Sequence, residues 1–278
     1  MERNLVRLAD GRVLDVVEVG DRGAPVAVFC HGTPGGPLEV VLAEPAAREV
    51  GLRLVAIGRP GYADSTPVDD GGLARFAGDQ VEVLDRMGIT TVKVLGVSGG
   101  APFAAALALA EPERLERLGI LAGVGPRDTW EADDPDDTTV RRVIDLVKAG
   151  DRAAAVTVLT DEIAPFIDMV RTSPPSAMPP GIAASIVDGA RNGFAGYVHD
   201  VLCQALPWDI DVSGIRATTW LVYGDADTNV PPAHGEWYAS QVPGAVLAVI
   251  PGADHPGTIG PSYRAMLSFL AGGSAVIS

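Results

Sequence analysis

One serine stands in a glycine-rich stretch where an apolar run ends and a helical pattern begins. The stretch reads GVSGG, with Ser98 between Gly96 and Gly100, after the strand pattern Val92–Val97 and before the helix pattern Ala101–Ala110. A sharp strand-to-helix turn forces its central residue into an unusual φ/ψ conformation and needs small residues two positions away on each side. The sequence therefore predicts a bend that presents the Ser98 hydroxyl as a nucleophile, with a polar helix cap as the alternative. A phosphate-binding loop is not matched, because no lysine follows the glycines.

A serine nucleophile needs a base, which is usually a histidine, and the chain holds four histidines. His255 follows the last predicted strand in VIPGADHPG, and Pro256 predicts that it lies in a loop and not in a helix. Functional groups of an α/β protein collect beyond the carboxyl ends of its strands. This placement favours His255 as the base over His199 and His234, which lie in predicted helices.

The base must be oriented by an acid, and the developing negative charge needs N–H donors that form an oxyanion hole. Asp225 and Asp227 are both candidates for the acid, since they follow a predicted strand in GDADTNVP. The resulting order Ser, Asp, His is the one that accompanies this kind of serine turn. One of the two aspartates is expected to bond only its own turn. The turn HGTPGG, which starts at His31 after another apolar strand, is the candidate oxyanion hole.

The elements that would position these residues alternate along the chain as strands and helices. Most strand patterns are continuously apolar, as expected for strands covered on both faces, and the first two form a hairpin at Asp10-Gly11. The sequence predicts an α/β fold with a mostly parallel, eight-stranded sheet flanked by helices. The predicted strands are residues 5–8, 12–19, 26–30, 52–57, 92–97, 118–121, 219–223 and 246–250. The predicted helices that flank them are residues 38–50, 72–87, 101–110, 232–241 and 263–270.

Residues 128–206 interrupt this alternation, because no strand pattern occurs in them. They hold an acidic loop, DTWEADDPDD, helix patterns over 139–148, 153–163 and 182–206, and the proline-rich stretch RTSPPSAMPPG. We expect an inserted helical cap over 128–206 and a core domain of residues 1–127 and 207–278. The candidates for lining a substrate pocket are His31 and the apolar cap residues Phe166, Met169, Met178, Phe194 and Tyr197.

Composition excludes several other classes of protein. The chain has 278 residues, 47% of them apolar, and a net charge of −15, which should repel nucleic acid and anionic membranes. Only Cys30 and Cys203 occur, which is no disulfide framework, and we expect both to be buried thiols in a cytoplasmic protein. We find no secretory signal, no run of about 18 apolar residues and no His/Cys cluster for a metal.

With the three sites in order, the chain resembles the α/β-hydrolase superfamily, in its serine branch with a helical cap. The motifs HGTPGG, GRPGYADSTP, GVSGG, GDADTNVP and GADHPG carry this resemblance over nearly the whole chain. It implies that Ser98 is the nucleophile, His255 the base and Asp227 the acid, with Asp225 as the fallback. It also implies that the backbone N–H groups of Thr33 and Gly99 form the oxyanion hole.

The chain departs from the family pattern at two places. Gly58 stands where family members often carry aspartate, so a carboxylate that braces this loop is expected to be missing. The serine turn also lacks the tryptophan of the proline iminopeptidases (GGSWGG), although HGTPGG is close to their HGGPGG. The second departure weakens a peptidase assignment.

The resemblance implies a cofactor-independent serine hydrolase that cleaves an ester or lactone of a small, fairly apolar molecule. An aminopeptidase or amidase is the second hypothesis, in which the acidic residues 131–137 bind the amino group of a substrate. The third is a binding protein or biosynthetic cyclase that reuses the fold. A homo-oligomer stays open, and we expect no nucleic acid or membrane partner.

Overall fold

The computed structural model describes residues 1–69, 71–129, 137–176 and 178–277. Within them, eight strands form one sheet. The strands are β1 (Glu2–Arg7), β2 (Val13–Val19), β3 (Val26–Cys30), β4 (Arg53–Ile57), β5 (Val92–Val97), β6 (Leu115–Leu121), β7 (Thr218–Gly224) and β8 (Val246–Ile250).

The sheet has the strand order β1-β2-β4-β3-β5-β6-β7-β8. The first two strands form the predicted hairpin, and β2 is antiparallel to β4, whereas the pairings from β4 through β8 are all parallel. The predicted mostly parallel sheet is therefore confirmed. Its parallel part brings the carboxyl ends of β3, β5, β7 and β8 to one edge, where the candidate site residues follow.

Helices cover both faces of the sheet and also fill the segment between β6 and β7. The flanking helices are α1 (Glu44–Val50), α2 (Leu73–Arg86), α3 (Ala101–Ala110), α8 (Pro232–Gln241) and α9 (His255–Leu270). The helices between β6 and β7 are α4 (Asp137–Lys148), α5 (Arg152–Thr172), α6 (Pro180–Gly189) and α7 (Ala195–Ala205). The predicted helix over 38–50 is divided into a 3-10 turn, Pro37–Leu42, and α1.

Two apolar clusters hold the helices on the sheet. On one face, α2, α3 and α8 pack on the strands, and the rings of Phe76 and Phe103 meet edge to face with centroids 5.7 Å apart. On the other face, α1 and α9 pack on the strands, and Trp220 meets Phe269 with centroids 5.5 Å apart. Apolar burial on both faces explains why the parallel strands read as continuous apolar runs in the sequence.

The helices between β6 and β7 differ from the predicted ones in two respects. The helix predicted over 153–163 continues as α5 to Thr172 through Pro165, because Ile163, Ile167 and Val170 on both sides of the proline share one buried cluster. A proline inside a helix costs about 3 kcal/mol, which such burial can offset. The single helix predicted over 182–206 is instead two helices, α6 and α7. The cap boundaries 128–206 stay a prediction.

Helix α6 contacts the HGTPGG turn backbone to backbone. A Cβ on Gly189 would lie 1.7 Å from the carbonyl oxygen of Gly35, so only glycine fits at that position of the helix. The hydroxyl of Ser185 donates to the carbonyl of Gly36 at 3.2 Å. The segment between β6 and β7 is therefore seated directly on the turn that carries the candidate oxyanion donor.

Both cysteines are buried free thiols, as predicted, and burial raises the pKa of Cys30 to about 11. Among the described residues, each helix is too short or too polar to span a lipid bilayer.

Candidate active site

Ser98 occupies a strained bend at the end of β5. Its φ angle is +51°, a region that L-residues other than glycine seldom adopt, and its side chain is half-buried. A Cβ on Gly96 would lie 2.8 Å from Ala101 Cα, and one on Gly100 would lie 2.1 Å from the carbonyl oxygen of Cys30. The two glycines make room for the bend, as the sequence predicted.

His255 lies next to Ser98, but it does not lie in a loop as predicted. It is the first residue of α9, whose start is capped by the Asp254 carboxylate accepting from the Gly257 N–H at 2.8 Å. Pro256 is tolerated there, because the N–H groups of the first turn of a helix have no partner within the helix. The His255 Nε2 atom lies 3.0 Å from Ser98 Oγ, within hydrogen-bond distance.

Asp227 lies on the other side of the His255 ring. Its Oδ2 accepts from His255 Nδ1 at 2.6 Å, and its Oδ1 accepts from the N–H groups of Asn229 and Val230, both at 2.9 Å. Asp225, the alternative acid, is exposed and accepts from the Gly252 N–H at 2.5 Å. The structure therefore brings Asp227 and not Asp225 to the histidine.

The HGTPGG turn lies beside the serine bend. A Cβ on Gly99 would lie 2.5 Å from Thr33 Oγ1, and one on Gly32 would lie 3.7 Å from Ser98 Cβ. The two predicted oxyanion donors, the N–H groups of Thr33 and Gly99, thus belong to neighbouring segments of chain next to the Ser98 hydroxyl.

His31 is fully buried and does not line a pocket, contrary to prediction. Its Nδ1 lies 3.0 Å from the Gly32 carbonyl oxygen, and the Arg59 N–H donates to its Nε2 at 3.4 Å. Its ring meets Tyr62 edge to face, with centroids 4.9 Å apart. Burial and the nearby Arg59 charge hold the pKa of His31 well below its usual value, so a neutral imidazole stabilises the turn.

Glu39 is a functional candidate that the sequence did not reveal. Its Oε2 accepts from the Gly32 N–H at 2.9 Å, which anchors the turn from the side of the 3-10 turn Pro37–Leu42. Burial raises the pKa of this carboxyl to about 7. Acidic residues are common in the first turn of helices. The sequence therefore carries no signal that Glu39 differs from them.

Arg59 and Asp200 form a second group that the sequence did not reveal. The Arg59 guanidinium packs against the Phe103 ring, 4.6 Å from its centroid, and binds the carboxylate of Asp200 from α7. Asp200 also accepts from the Tyr62 hydroxyl at 2.8 Å. The carboxylate of Asp200 thus stabilises the loop after β4, in which Gly58 stands where family members often carry an aspartate.

The other two histidines hold structural positions. His234 is buried, and its Nδ1 lies 2.9 Å from the Gly125 N–H and 3.0 Å from Thr129 Oγ1. His199 is buried on α7, where burial lowers its pKa and its Nε2 lies 3.7 Å from Cys203 Sγ. Among the described residues, His255 is therefore the histidine that lies within hydrogen-bond distance of Ser98 Oγ.

Four of the five predicted pocket residues of the insertion pack together around a buried cluster of α5 and α6. They are Phe166, Met178, Phe194 and Tyr197. Met169 is 41% exposed, and the lining of a substrate pocket by these five residues stays a prediction. A cleft of about 390 Å³ opens between residues 67–69 and helices α5 and α7, and its lining includes Val156, Val198 and His199. Of the acidic residues 131–137, predicted to bind an amino group, 131–136 lie outside the described residues.

Comparison with known proteins places this geometry in a family. A family profile described as alpha/beta hydrolase fold matches residues 25–259. The chain is 27% identical over 239 residues to 2-hydroxymuconate semialdehyde hydrolase of Pseudomonas putida, covering 82% of this chain and 80% of that protein. It is 26% identical over 317 residues to epoxide hydrolase A of Mycobacterium tuberculosis, covering 96% and 97%.

A solved structure has the same fold over nearly the whole chain. The esterase EaEST of Exiguobacterium antarcticum superposes with a TM-score of 0.73 at 19% identity, covering 96% of this chain and 98% of that one. The profile match extends from β3 into α9 and so contains each strand that precedes a candidate site residue. The chain therefore belongs to the alpha/beta hydrolase fold family.

Proposed function

We propose that the protein is a serine hydrolase that cleaves an ester or lactone of a small, fairly apolar molecule through an acyl-enzyme. The observation that carries this proposal is the His255 ring between two partners, with Nε2 3.0 Å from Ser98 Oγ and Nδ1 2.6 Å from Asp227 Oδ2. This is the arrangement in which an imidazole takes a proton from a serine while a carboxylate fixes its tautomer.

In the proposed reaction, Ser98 Oγ attacks the substrate carbonyl carbon, and its proton passes to His255 Nε2. The carbonyl oxygen becomes an oxyanion that accepts from the N–H groups of Thr33 and Gly99. The tetrahedral intermediate collapses, and the leaving alkoxide takes the proton from His255. Water then attacks the acyl-enzyme and gives a proton to His255. The second tetrahedral intermediate releases the acid product as Ser98 Oγ takes that proton back from His255 Nε2. Asp227 stabilises the imidazolium that forms in each half-reaction.

A serine nucleophile favours carbonyl substrates over epoxides, although one relative is an epoxide hydrolase. Attack of Ser98 Oγ on an epoxide carbon would leave an ether, which lacks a carbonyl for water to attack. An acyl ester on Ser98 has that carbonyl. We also propose that the aromatic side chains Phe166, Phe194 and Tyr197, which are partly buried beside one apolar cluster, face an apolar substrate.

Cleavage of a carbon–carbon bond beside a ketone is the second candidate. The relative from Pseudomonas putida is named a semialdehyde hydrolase, and 82% of this chain aligns with it. A ketone would be attacked in the same way, but the leaving group would be a carbanion that must be protonated on carbon. This step is more demanding than release of an alkoxide, so esters and lactones remain the first proposal.

The test combines covalent labelling with a substrate panel. A fluorophosphonate should label the wild-type protein on the single peptide that contains Ser98, and Ser98→Ala should abolish the labelling. Turnover should be highest with p-nitrophenyl butyrate or a lactone, lower with a vinylogous diketone, and lowest with an amino-acid p-nitroanilide. Labelling that persists in Ser98→Ala would overturn the nucleophile, and a preference for the anilide would overturn the substrate class.

A further inference from the structure

A buried ion pair joins the loop after β4 to helix α7. The Arg59 Nη2 and Asp200 Oδ2 atoms lie 2.5 Å apart, and Arg59 Nε lies 2.8 Å from Asp200 Oδ1. Their side chains are 1% and 0% exposed. Charges removed from water this completely need hydrogen bonds to the rest of their polar atoms. The partners of the pair therefore show what it holds in place.

Those partners belong to the turn that carries a predicted oxyanion donor. Arg59 donates to the carbonyl oxygens of His31 at 2.6 Å and Gly32 at 2.9 Å, and to Thr33 Oγ1 at 3.0 Å. The Thr33 hydroxyl donates in turn to Asp200 Oδ2 at 2.6 Å. Thr33 is thus bound by both members of the ion pair.

The bond to the Gly32 carbonyl fixes the direction of the Thr33 N–H. The Gly32 carbonyl and the Thr33 N–H belong to one planar peptide group, and in a trans peptide they point to opposite sides. Once Arg59 holds the oxygen on the buried side, the Thr33 N–H must face away from Arg59. Rotation of this peptide would cost the buried hydrogen bond of 2.9 Å between Arg59 Nη2 and the Gly32 carbonyl oxygen.

Helix α7 reaches the second predicted donor as well. Gln204 lies one helical turn after Asp200, so both side chains project from the same face of α7. The Gln204 Nε2 atom donates to Thr33 Oγ1 and to the carbonyl oxygen of Gly99, each at 3.2 Å. One amide therefore bridges the two segments that carry the predicted oxyanion donors.

We infer that Asp200 and Gln204 of α7, together with Arg59, are positioning residues that hold Thr33 and Gly99 in place as the oxyanion hole. The segment between β6 and β7 thereby supports the oxyanion hole through the side chains of Asp200 and Gln204. The inference rests on the proposed function, because an oxyanion forms only if Ser98 attacks a carbonyl. Donors that are held in place stabilise the transition state more than the bound substrate, so their loss should lower kcat and leave KM nearly unchanged.

The test uses neutral substitutions, because removal of one charge of a buried pair destabilises the whole protein. Thr33→Val removes the hydroxyl but keeps the backbone N–H, and Thr33→Ser restores the hydroxyl. Gln204→Met removes the bridging amide at nearly constant volume. Thr157→Val is the matched control, since it makes the same change on the exposed side of α5, where the Thr157 hydroxyl donates to the Ala153 carbonyl of its own helix at 3.1 Å.

Two readouts separate positioning from general stability. In Thr33→Val and Gln204→Met, kcat for a p-nitrophenyl ester should fall about 10- to 100-fold at nearly unchanged KM. A thionoester should be affected much less, because sulfur accepts hydrogen bonds weakly. Thr33→Ser should recover most of the loss, and Thr157→Val should match the wild type. Fluorophosphonate labelling of Ser98 should be slower in Thr33→Val and Gln204→Met than in the wild type, and close to the wild-type rate in Thr33→Ser and Thr157→Val.

Each outcome decides the question. If Thr33→Val and Gln204→Met keep the wild-type kcat and labelling rate, the inference is wrong while the proposed function stands. An equal fall for the ester and the thionoester would also contradict it, since that pattern indicates general damage to the site. If the wild-type protein is not labelled at all on Ser98, the proposed function itself fails.

Discussion

His255 and Asp227 share a hydrogen bond of 2.6 Å between Nδ1 and Oδ2, although they follow different strands, β8 and β7. The strands are neighbours in the sheet, so their carboxyl ends bring the two residues together. The Asp227 side chain is fully buried, and its hydrogen bonds among the described residues are to two backbone N–H groups and to this imidazole. The backbone N–H groups hold the carboxylate in place, and the carboxylate in turn orients the His255 ring.

Asp227→Asn should lower kcat/KM for a p-nitrophenyl ester by about 10⁴-fold, because the amide favours the wrong tautomer of His255. Asp225→Asn is the matched control and should keep the wild-type value, since an amide oxygen can still accept from the Gly252 N–H. Steady-state kinetics of both variants make the comparison. The assignment of the acid is wrong if the Asp225 variant is the inactive one.

Gly100→Ala should destabilise the protein severely, by about 3 kcal/mol or more, because the new Cβ would lie 2.1 Å from the Cys30 carbonyl oxygen. Gly78→Ala, inside α2, places its Cβ in open space and should raise the free energy of unfolding by about 0.5 to 1 kcal/mol. Urea denaturation with an unchanged m-value measures both. Equal stability of the two variants would contradict the prediction that the bend at Ser98 leaves no room for a Cβ at position 100.

Glu39→Gln should remove a pH dependence of stability. Burial raises the pKa of Glu39 from 4.5 in the unfolded chain to about 7, so the folded state binds more protons between these values. The free energy of unfolding should therefore fall as pH rises through this window, by roughly 3 kcal/mol in total.

The glutamine variant cannot ionise, so its stability relative to the wild type should increase from acidic to mildly alkaline pH. Denaturation of both proteins across this range, with the difference plotted against pH, measures the effect. A difference that stays constant would show that Glu39 does not titrate in this window.

Tyr223→Phe and Tyr263→Phe should differ in their effects on stability, although both tyrosines are buried. The Tyr223 hydroxyl donates to the Gly123 carbonyl at 2.7 Å, and its loss should cost about 1 to 2 kcal/mol. The Tyr263 hydroxyl has no hydrogen-bond partner among the described residues, so its removal should be neutral or stabilising. Thermal unfolding distinguishes them, and an equal cost for both would refute this difference.

The fold was largely predictable because its strands carry a local signal. The parallel strands β3, β5 and β8 are mostly apolar, and their predicted bounds agree with the structure. Two of the errors in the predicted helices occurred at prolines. Pro165 lies inside α5, and Pro256 lies in the first turn of α9, where packing and the special first turn of a helix outweigh the usual preference.

The candidate site was predictable only in part, for a physical reason. Ser98, Asp227 and His255 sit in motifs whose glycines and prolines mark turns after strands, so each could be located from its own neighbours. Arg59 and Asp200 are separated by 141 positions in the chain, and the residues around each of them do not predict that its side chain is buried. Long-range polar contacts of this kind leave no local trace in a single sequence.

The contact between Gly189 of α6 and Gly35 of the turn has a consequence for the evolution of this enzyme. Because the two backbones are in contact, a residue larger than glycine at position 189 would push α6 away from the turn. A chimera that receives the helical insertion of a relative should therefore stay folded only if the donor brings a glycine to the position of Gly189.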